Sequence, residues 1–340
     1  MSLIVAAMAG SLREGLAARG LHSPVADAPV AAVKRLANAG SDSGTRLQLA
    51  RPAVDAFVER PWLGQGSGNY PWASFTAAAR AAPGEAQLPA EHAHNLVLQL
   101  LAEFGAPATV LVLLLLFAWG LGLLRLEWSP EHAWCAAVLG IGAFHAMFEY
   151  PHWFSYFLGP TALLLGATDA GRKALPASRR WAAYLALAML GGAWTLLALR
   201  SDYLAIEAAA NRPLAASLDR EIAWRRSLDT MIRLQHESLL SPWAMLALAT
   251  RAEPGRAQAQ DRARLCRQGI RFSPERGLVT RCAMQLALAG QQREAEDLAQ
   301  AVLRAYPGQR AATLDELAAG ARAHRELAAL QARAAAVATP

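Results

Sequence analysis

Between residues 107 and 199 the chain is a succession of apolar runs separated by short polar breaks. On both flanks apolar residues recur at helical spacing among arginines, glutamates and glutamines. Four runs come near the roughly 20 residues that cross a bilayer core as helix. They are PATVLVLLLLFAWGLGLL (107–124), HAWCAAVLGIGAFHAMF (132–148), WFSYFLGPTALLLGAT (153–168) and WAAYLALAMLGGAWTLLAL (181–199). The inner two are shorter and carry His145, Glu149 and His152 around a Tyr150–Pro151 break. They predict a helical hairpin whose second helix opens at Pro151.

After Arg200 the pattern becomes amphipathic. The stretch ERGLVTRCAMQLALAGQQREAEDLAQAVLRAYPG (275–308) has Ala, Leu and Cys at helical spacing, Gly290 between two helices and a Tyr-Pro-Gly stop. This is the pattern of one tetratricopeptide-like helix pair. The closing ARAAAVATP reads as a frayed end. The expected fold class is all-α: a polytopic helical membrane protein of about four transmembrane helices with an extracytoplasmic, tetratricopeptide-like C-terminal domain. The expected domains are a periplasmic segment over 1–106, with a remnant of an earlier span at 1–10 as the alternative to a longer parent protein, a transmembrane domain over 107–199 and a periplasmic helical domain over 200–340.

Charge sets the orientation. The 169–180 loop carries Arg172, Lys173, Arg179 and Arg180 against Asp169, so the positive-inside rule makes it cytoplasmic. Alternation then puts the Glu149–His152 turn outside, with everything before 107 and after 199 on the same outer side. The arginines of the tail do not oppose this, because long domains translocate regardless of charge. The start MSLIVAAMAGSLREG lacks the basic n-region of an export signal. The expectation is therefore that the sequence is the C-terminal part of a longer membrane protein.

Composition agrees with the pattern. Only 18% of residues are charged and 54% are hydrophobic, against about a quarter charged in soluble domains. The net charge of +6 is scattered, with little aromatic interleaving, which disfavours nucleic acid as a partner. Cys135 lies in an apolar run and reads as packing. Cys266 and Cys282 lack neighbours at zinc spacing and would pair if their region lies outside the cytoplasm.

The densest chemistry is EHAHNLVLQLLAE (91–103), at the mouth of the first run. Taken as a helix, it places Asn95, Gln99 and Glu103 at i, i+4 and i+8 on one face, with His92 a turn earlier and His94 beside it. A polar ridge entering a bilayer must face protein or a water-filled cavity. The bland alternative, an interfacial helix start capped by Asn95 with His92 among headgroups, stays open. The His-x-His spacing suits metal binding from a strand better than from a helix, and no metal is expected. His145 and Glu149 form a second i, i+4 pair, with His152 just past the turn. Upstream, GQGSG (64–68) resembles a phosphate-cradling loop only superficially, since no strand precedes it and no clear helix opens from it. It reads as a flexible turn returning the chain to the membrane.

These residues carry a resemblance. The order of an arginine-bearing helix, PWLGQGSGNY and HAHNLVLQLLAEFGAPATVLVLLLLF resembles the C-terminal part of the O-antigen ligase and polymerase superfamily. Those proteins are bacterial inner-membrane glycosyltransferases that use undecaprenyl-pyrophosphate-linked glycans. FHAMFEYPHWFSYFLGPTALLLG is similar to the H-x-x-x-E-Y-P-x-W-x-x-Y-F-L-x-P run of the protein (pilin-type) O-oligosaccharyltransferase branch, and the resemblance spans roughly 40–310.

The resemblance implies a periplasmic site of a histidine and arginines, without metal or cofactor. Its Ala-His-Asn histidine falls on His94, and its arginine before the glycine turn on Arg46, with Arg51 as the alternative. A further arginine, in a loop between earlier spans, has no counterpart here. The implied reaction moves an oligosaccharide from a lipid pyrophosphate to an acceptor hydroxyl, a Ser or Thr of a protein. His94 would serve as general base and Arg46 as pyrophosphate clamp. Asn95, Gln99, Arg51, His145, Glu149 and His152 would line the substrate side. The implied partners are the lipid-linked donor, a periplasmic protein or glycan acceptor, and membrane lipids. Two alternatives stand: an O-antigen ligase or polysaccharide polymerase with a sugar acceptor, and an inactive membrane-anchored helical scaffold.

Overall fold

The computed structural model describes residues 42–82, 89–169, 179–211 and 218–338. The chain divides into two compact units, Met1–Arg51 and Pro52–Pro340. The described residues are helical throughout apart from turns and connections, and contain no strand. The segment 1–10 lies outside the described residues, as does the basic loop up to residue 178.

In chain order the helices are α1 (Asp42–Glu59), α2 (Tyr70–Arg80), α3 (Leu96–Leu123), α4 (Pro130–His145), α5 (Ser155–Ala167) and α6 (Arg179–Asn211). The tail follows as α7 (Leu218–Glu237), α8 (Ser241–Arg251), α9 (Ala259–Phe272), α10 (Arg276–Leu288), α11 (Gln292–Ala305), α12 (Arg310–Ala323) and α13 (Ala328–Ala338).

Among the described residues, α3 and α6 are the two helices long and apolar enough to cross a membrane. Their apolar side chains face outward: Leu115 is 62% exposed, Phe117 64% and Trp194 75%. In the second half of α3 and in α6 such exposure fits a solvent that is itself apolar. The inner pair differs from a plain four-span pattern. α4 and α5 have 16 and 13 residues, about 24 and 20 Å at 1.5 Å per residue. Each is shorter than a bilayer core. Ser129 caps α4 by accepting the His132 N–H. Pro151 opens a 3-10 turn, Pro151–Trp153, and helix resumes at Ser155, close to the expected hairpin. The apolar run expected at 181–199 is part of one 33-residue helix that continues to Asn211, so the end of the apolar run is not a helix boundary.

The tail is built around α10. Leu278, Val279, Cys282, Ala283 and Leu286 are buried against α9, α11 and α12. α10 and α11 join through Gly290 at φ 81°, where the Gln291 N–H bonds back to Leu286 O at 2.9 Å. This is the left-handed cap glycine allows. A disulfide between Cys266 and Cys282 links α9 to α10, and Cys135 on α4 is a free, half-buried thiol. Arg276 of α10 pairs with Glu316 of α12 at 2.8 Å.

One packing partner comes from far upstream. The face of α2 bearing Phe75, Ala78 and Ala79 is buried in this same core. Phe75, 1% exposed, lies 6.2 Å ring to ring from Tyr306. Burying that ring contributes roughly 1.5–3 kcal/mol. The Tyr306 hydroxyl donates to Pro274 O at 2.7 Å and closes the cluster.

Candidate functional site

The site is assembled where three stretches meet: the glycine turn after α1, the start of α3, and the turn between α4 and α5. The start of α3 is two helices joined at a kink. Gly105, at φ 76° and ψ −179°, interrupts the helical backbone. The carbonyls left over at that break are satisfied by the glycine turn: the Gln65 N–H donates to Ala102 O at 2.8 Å and the Gly66 N–H to Glu103 O at 2.9 Å. In return the Ala106 N–H donates to Pro61 O at 2.7 Å. A Cβ on Gly64 would sit 2.4 Å from the Glu103 backbone, and one on Gly105 would sit 2.5 Å from the Trp62 carbonyl oxygen. The turn is thus a fitted plug against α3, where the sequence suggested a flexible return.

A helix does open from this turn, contrary to expectation: α2 begins at Tyr70. The acidic group at its N-terminus is the chain's own. The Glu103 carboxylate accepts backbone hydrogen bonds from Gly68 and Tyr70, using the donors and positive end that a helix start offers an anion.

The stretch 91–103 is not one helix. Helix begins at Leu96, and residues 91–95 form an irregular turn. Asn95, Gln99 and Glu103 keep their common face, but each is engaged within the fold. Asn95 accepts the Leu98 N–H at 3.0 Å as N-cap and donates to Met147 O at 3.1 Å. Gln99, 2% exposed, accepts the Ala93 N–H at 2.7 Å and donates to Glu103 at 2.9 Å.

His94 stands apart from that ridge. It sits at φ 51° in the left-handed region, which costs a non-glycine residue on the order of 1 kcal/mol or more. Its Nδ1 lies 3.0 Å from Glu149 Oε2. A carboxylate there holds the ring proton on Nδ1 and leaves Nε2 as the basic nitrogen. The imidazole is half-buried, its side chain 29% exposed, and meets the Tyr150 ring edge-on at 5.0 Å. Two hydrogen bonds seat the turn on the hairpin: the Asn95 side-chain amide donates to Met147 O, and the Leu96 N–H to Ala146 O at 2.8 Å. The small cleft so formed is lined by His94, Asn95, Glu149, Tyr150, His152 and Trp153 among others.

The i, i+4 spacing of His145 and Glu149 suggested a pair. Glu149 turns to His94 instead, and His145 packs edge-on against Phe157 at 5.9 Å. His92 lies between Tyr150 at 4.2 Å and Trp153 at 5.3 Å. The Nδ1 atoms of His92 and His152 are buried and have no hydrogen-bond partner among the described residues. Burial holds His92 below the usual imidazole range, with Glu91 opposing and His94 adding to the effect. Burial, then His145, does the same for His152. Sequence reasoning missed the aromatic wall of Tyr150 and Trp153; its signal was the spacing of aromatic residues on either side of Pro151.

Of the arginines, Arg46 lies on α1 with its side chain outside the described residues, and Arg51 is exposed on the same helix. Both belong to the unit Met1–Arg51. Among the described residues no three His, Cys, Asp or Glu side chains are grouped to hold a metal. A family model described as "O-Antigen ligase" matches residues 1–113. Another, described as "Virulence factor membrane-bound polymerase, C-terminal", matches residues 133–318. No curated protein and no solved structure matches the chain.

Proposed function

The chain belongs to the membrane-bound polymerase C-terminal family of the O-antigen ligase/polymerase superfamily, and from that premise we propose that His94 is the general base of a glycan transfer to an acceptor hydroxyl. Membership implies glycosyl transfer with a lipid-linked sugar donor and a glycan acceptor in general. The observation that carries the finer reading is the 3.0 Å contact of His94 Nδ1 with Glu149. It joins a turn ahead of α3 to the hairpin after α4, and it orients a histidine at a cleft in the way base catalysis needs.

In this reading Nε2 of His94 takes the hydroxyl proton as the acceptor oxygen attacks the anomeric carbon. The bond to the pyrophosphate oxygen breaks, and the lipid pyrophosphate leaves as an anion. Arg46, or Arg51, binds that anion through its guanidinium fork. Tyr150 and Trp153 line the cleft beside His94 and bound the space left to the acceptor. The donor proposed is undecaprenyl-pyrophosphate-linked oligosaccharide, and the acceptor a Ser or Thr of a periplasmic protein.

Two observations bear on placing the site and the tail outside the cytoplasm. The disulfide Cys266–Cys282 belongs to an oxidising compartment. The burial of α2 in the tail's core supports the narrower point that the two share one side, whichever it is. An even number of crossings must then separate them, which the proposed four-span topology meets.

The test is transfer measured in membranes containing the full-length protein. His94→Ala is expected to lose about 100-fold or more, and Glu149→Gln about tenfold or more, the usual range for an acid–base group and its orienting partner. Near-normal transfer by His94→Ala would sink the proposal. Supplying a protein acceptor and a sugar acceptor in parallel decides between oligosaccharyl transfer to protein and the ligase or polymerase alternative that the family descriptions favour.

A further inference from the structure

We infer that Gln99 and Glu103 are positioning residues, which together hold the left-handed backbone of His94 in place and tie it to helix α2. The inference rests on the reading of His94 as the base.

The geometry leaves Gln99 one orientation. The Ala93 N–H can only donate and the Glu103 carboxylate accepts, so the amide oxygen must face Ala93 and the amide nitrogen Glu103. Ala93 is 2% exposed and immediately precedes His94. Its N–H is therefore a fixed point one residue from a backbone conformation that a histidine would leave if released. From the other side, Asn95 and Leu96 are tied to the carbonyls of Met147 and Ala146. Residues 93–96 are thus held between two supports, and the imidazole reaches Glu149 from between them.

Glu103 extends one support further. Its carboxylate accepts from Gln99 and from the amides of Gly68 and Tyr70 at the start of α2. The other face of α2 is buried in the tail's core through Phe75, Ala78 and Ala79. The tail, α2, Glu103, Gln99, Ala93 and His94 form one unbroken series of contacts. Neither Gln99 nor Glu103 needs to touch substrate to affect the reaction.

The test exchanges the pair. In Gln99→Glu two carboxylates face each other across a buried contact, which loosens Ala93. In the double exchange Gln99→Glu with Glu103→Gln, one donor and one acceptor again face each other, and a carboxylate oxygen still meets the Ala93 N–H. With the full-length protein in membranes, Gln99→Glu is expected to lower kcat about tenfold or more with KM for donor and acceptor nearly unchanged, the signature of a misplaced catalytic group. Its deficit should grow as pH rises and the second carboxyl ionises. The double exchange should recover kcat to within about threefold of the parent and flatten that pH dependence. Hydrogen exchange at Ala93 and His94 should accelerate in Gln99→Glu and slow again in the double exchange.

A folded double-exchange protein that does not recover kcat, while His94→Ala is inactive, overturns the positioning role. Unchanged exchange at Ala93 in Gln99→Glu overturns it whatever the role of His94. Should the double exchange fail to accumulate, Gln99→Met, which keeps the volume and removes the acceptor, must show the same loss of kcat. A normal kcat there overturns the inference. Normal transfer by His94→Ala, by contrast, removes the base reading on which the inference rests.

Discussion

The two halves of α3 are continuous in sequence and opposite in surroundings. Before Gly105, Ala102 is 0% exposed, Gln99 2% and Glu103 4%, and the polar atoms of the two longer side chains are hydrogen-bonded. After it, Leu111, Leu114, Leu115 and Phe117 all stand more than half exposed. The first half is solvated by protein and the second is fitted for lipid. The glycine between them does not merely bend a helix. It ends one set of backbone bonds, hands the orphan carbonyls to the Gln65–Gly66 turn, and lets the next helix begin where the apolar surface begins.

That contrast breaks most severely at the junction. Gly105→Ala adds a Cβ within 2.5 Å of the Trp62 carbonyl oxygen at a positive φ. Together these are expected to cost about 3 kcal/mol or more, read as a lowered unfolding temperature of the purified protein in detergent. Gly120→Ala, in the lipid-fitted half with open space around it, is the matched control. It should be neutral or stabilise by up to about 1 kcal/mol, since alanine is the better helix former.

A charge in the second half comes next. Leu114→Arg is expected to cost about 2.5–3.5 kcal/mol of insertion free energy, and so to reduce the membrane-integrated fraction. Full integration of that variant would show that this half does not sit in lipid.

The smallest effect lies with two histidines in the turns that pack beside the first half of α3. Burial lowers His92 and His152, so the unfolded chain takes up these protons before the folded one as pH falls. The stability they leave intact above pH of about 6.5, the ordinary imidazole value, is lost progressively below it, toward the depressed folded values. The unfolding temperature should fall through that window, and His92→Phe should flatten the slope. An unchanged slope in that variant would mean that His92 is not held neutral by its surroundings.

Sequence periodicity revealed one side of each contact. The i, i+4, i+8 spacing of Asn95, Gln99 and Glu103 was visible, as was the Gly290 break between α10 and α11. Their partners were not. Glu103 finds Gly68 and Tyr70, Asn95 finds Met147, and Glu149 finds His94 rather than the neighbour its spacing suggested. Local spacing reports which residues share a helix face, and these contacts cross between elements distant in sequence. The start of α3 was misjudged for a related reason. The turn at 91–95 holds its irregular backbone through Gln99 and the hairpin carbonyls, and local helix preference does not register such ties. The continuation of α6 past residue 199 was hidden because hydropathy marks where an apolar solvent ends, and a helix is free to run on into water.

The seat of α2 in the tail also sets an order of events in biosynthesis. Phe75 leaves the ribosome long before Tyr306, with every apolar run of the membrane region synthesised between them. Until the last helices arrive, α2 must wait with an aromatic face unburied. The tail's core is therefore closed by a contact of high contact order, the slow kind. A nascent chain interrupted before α9–α11 would leave Phe75 and its neighbours without the core that buries them.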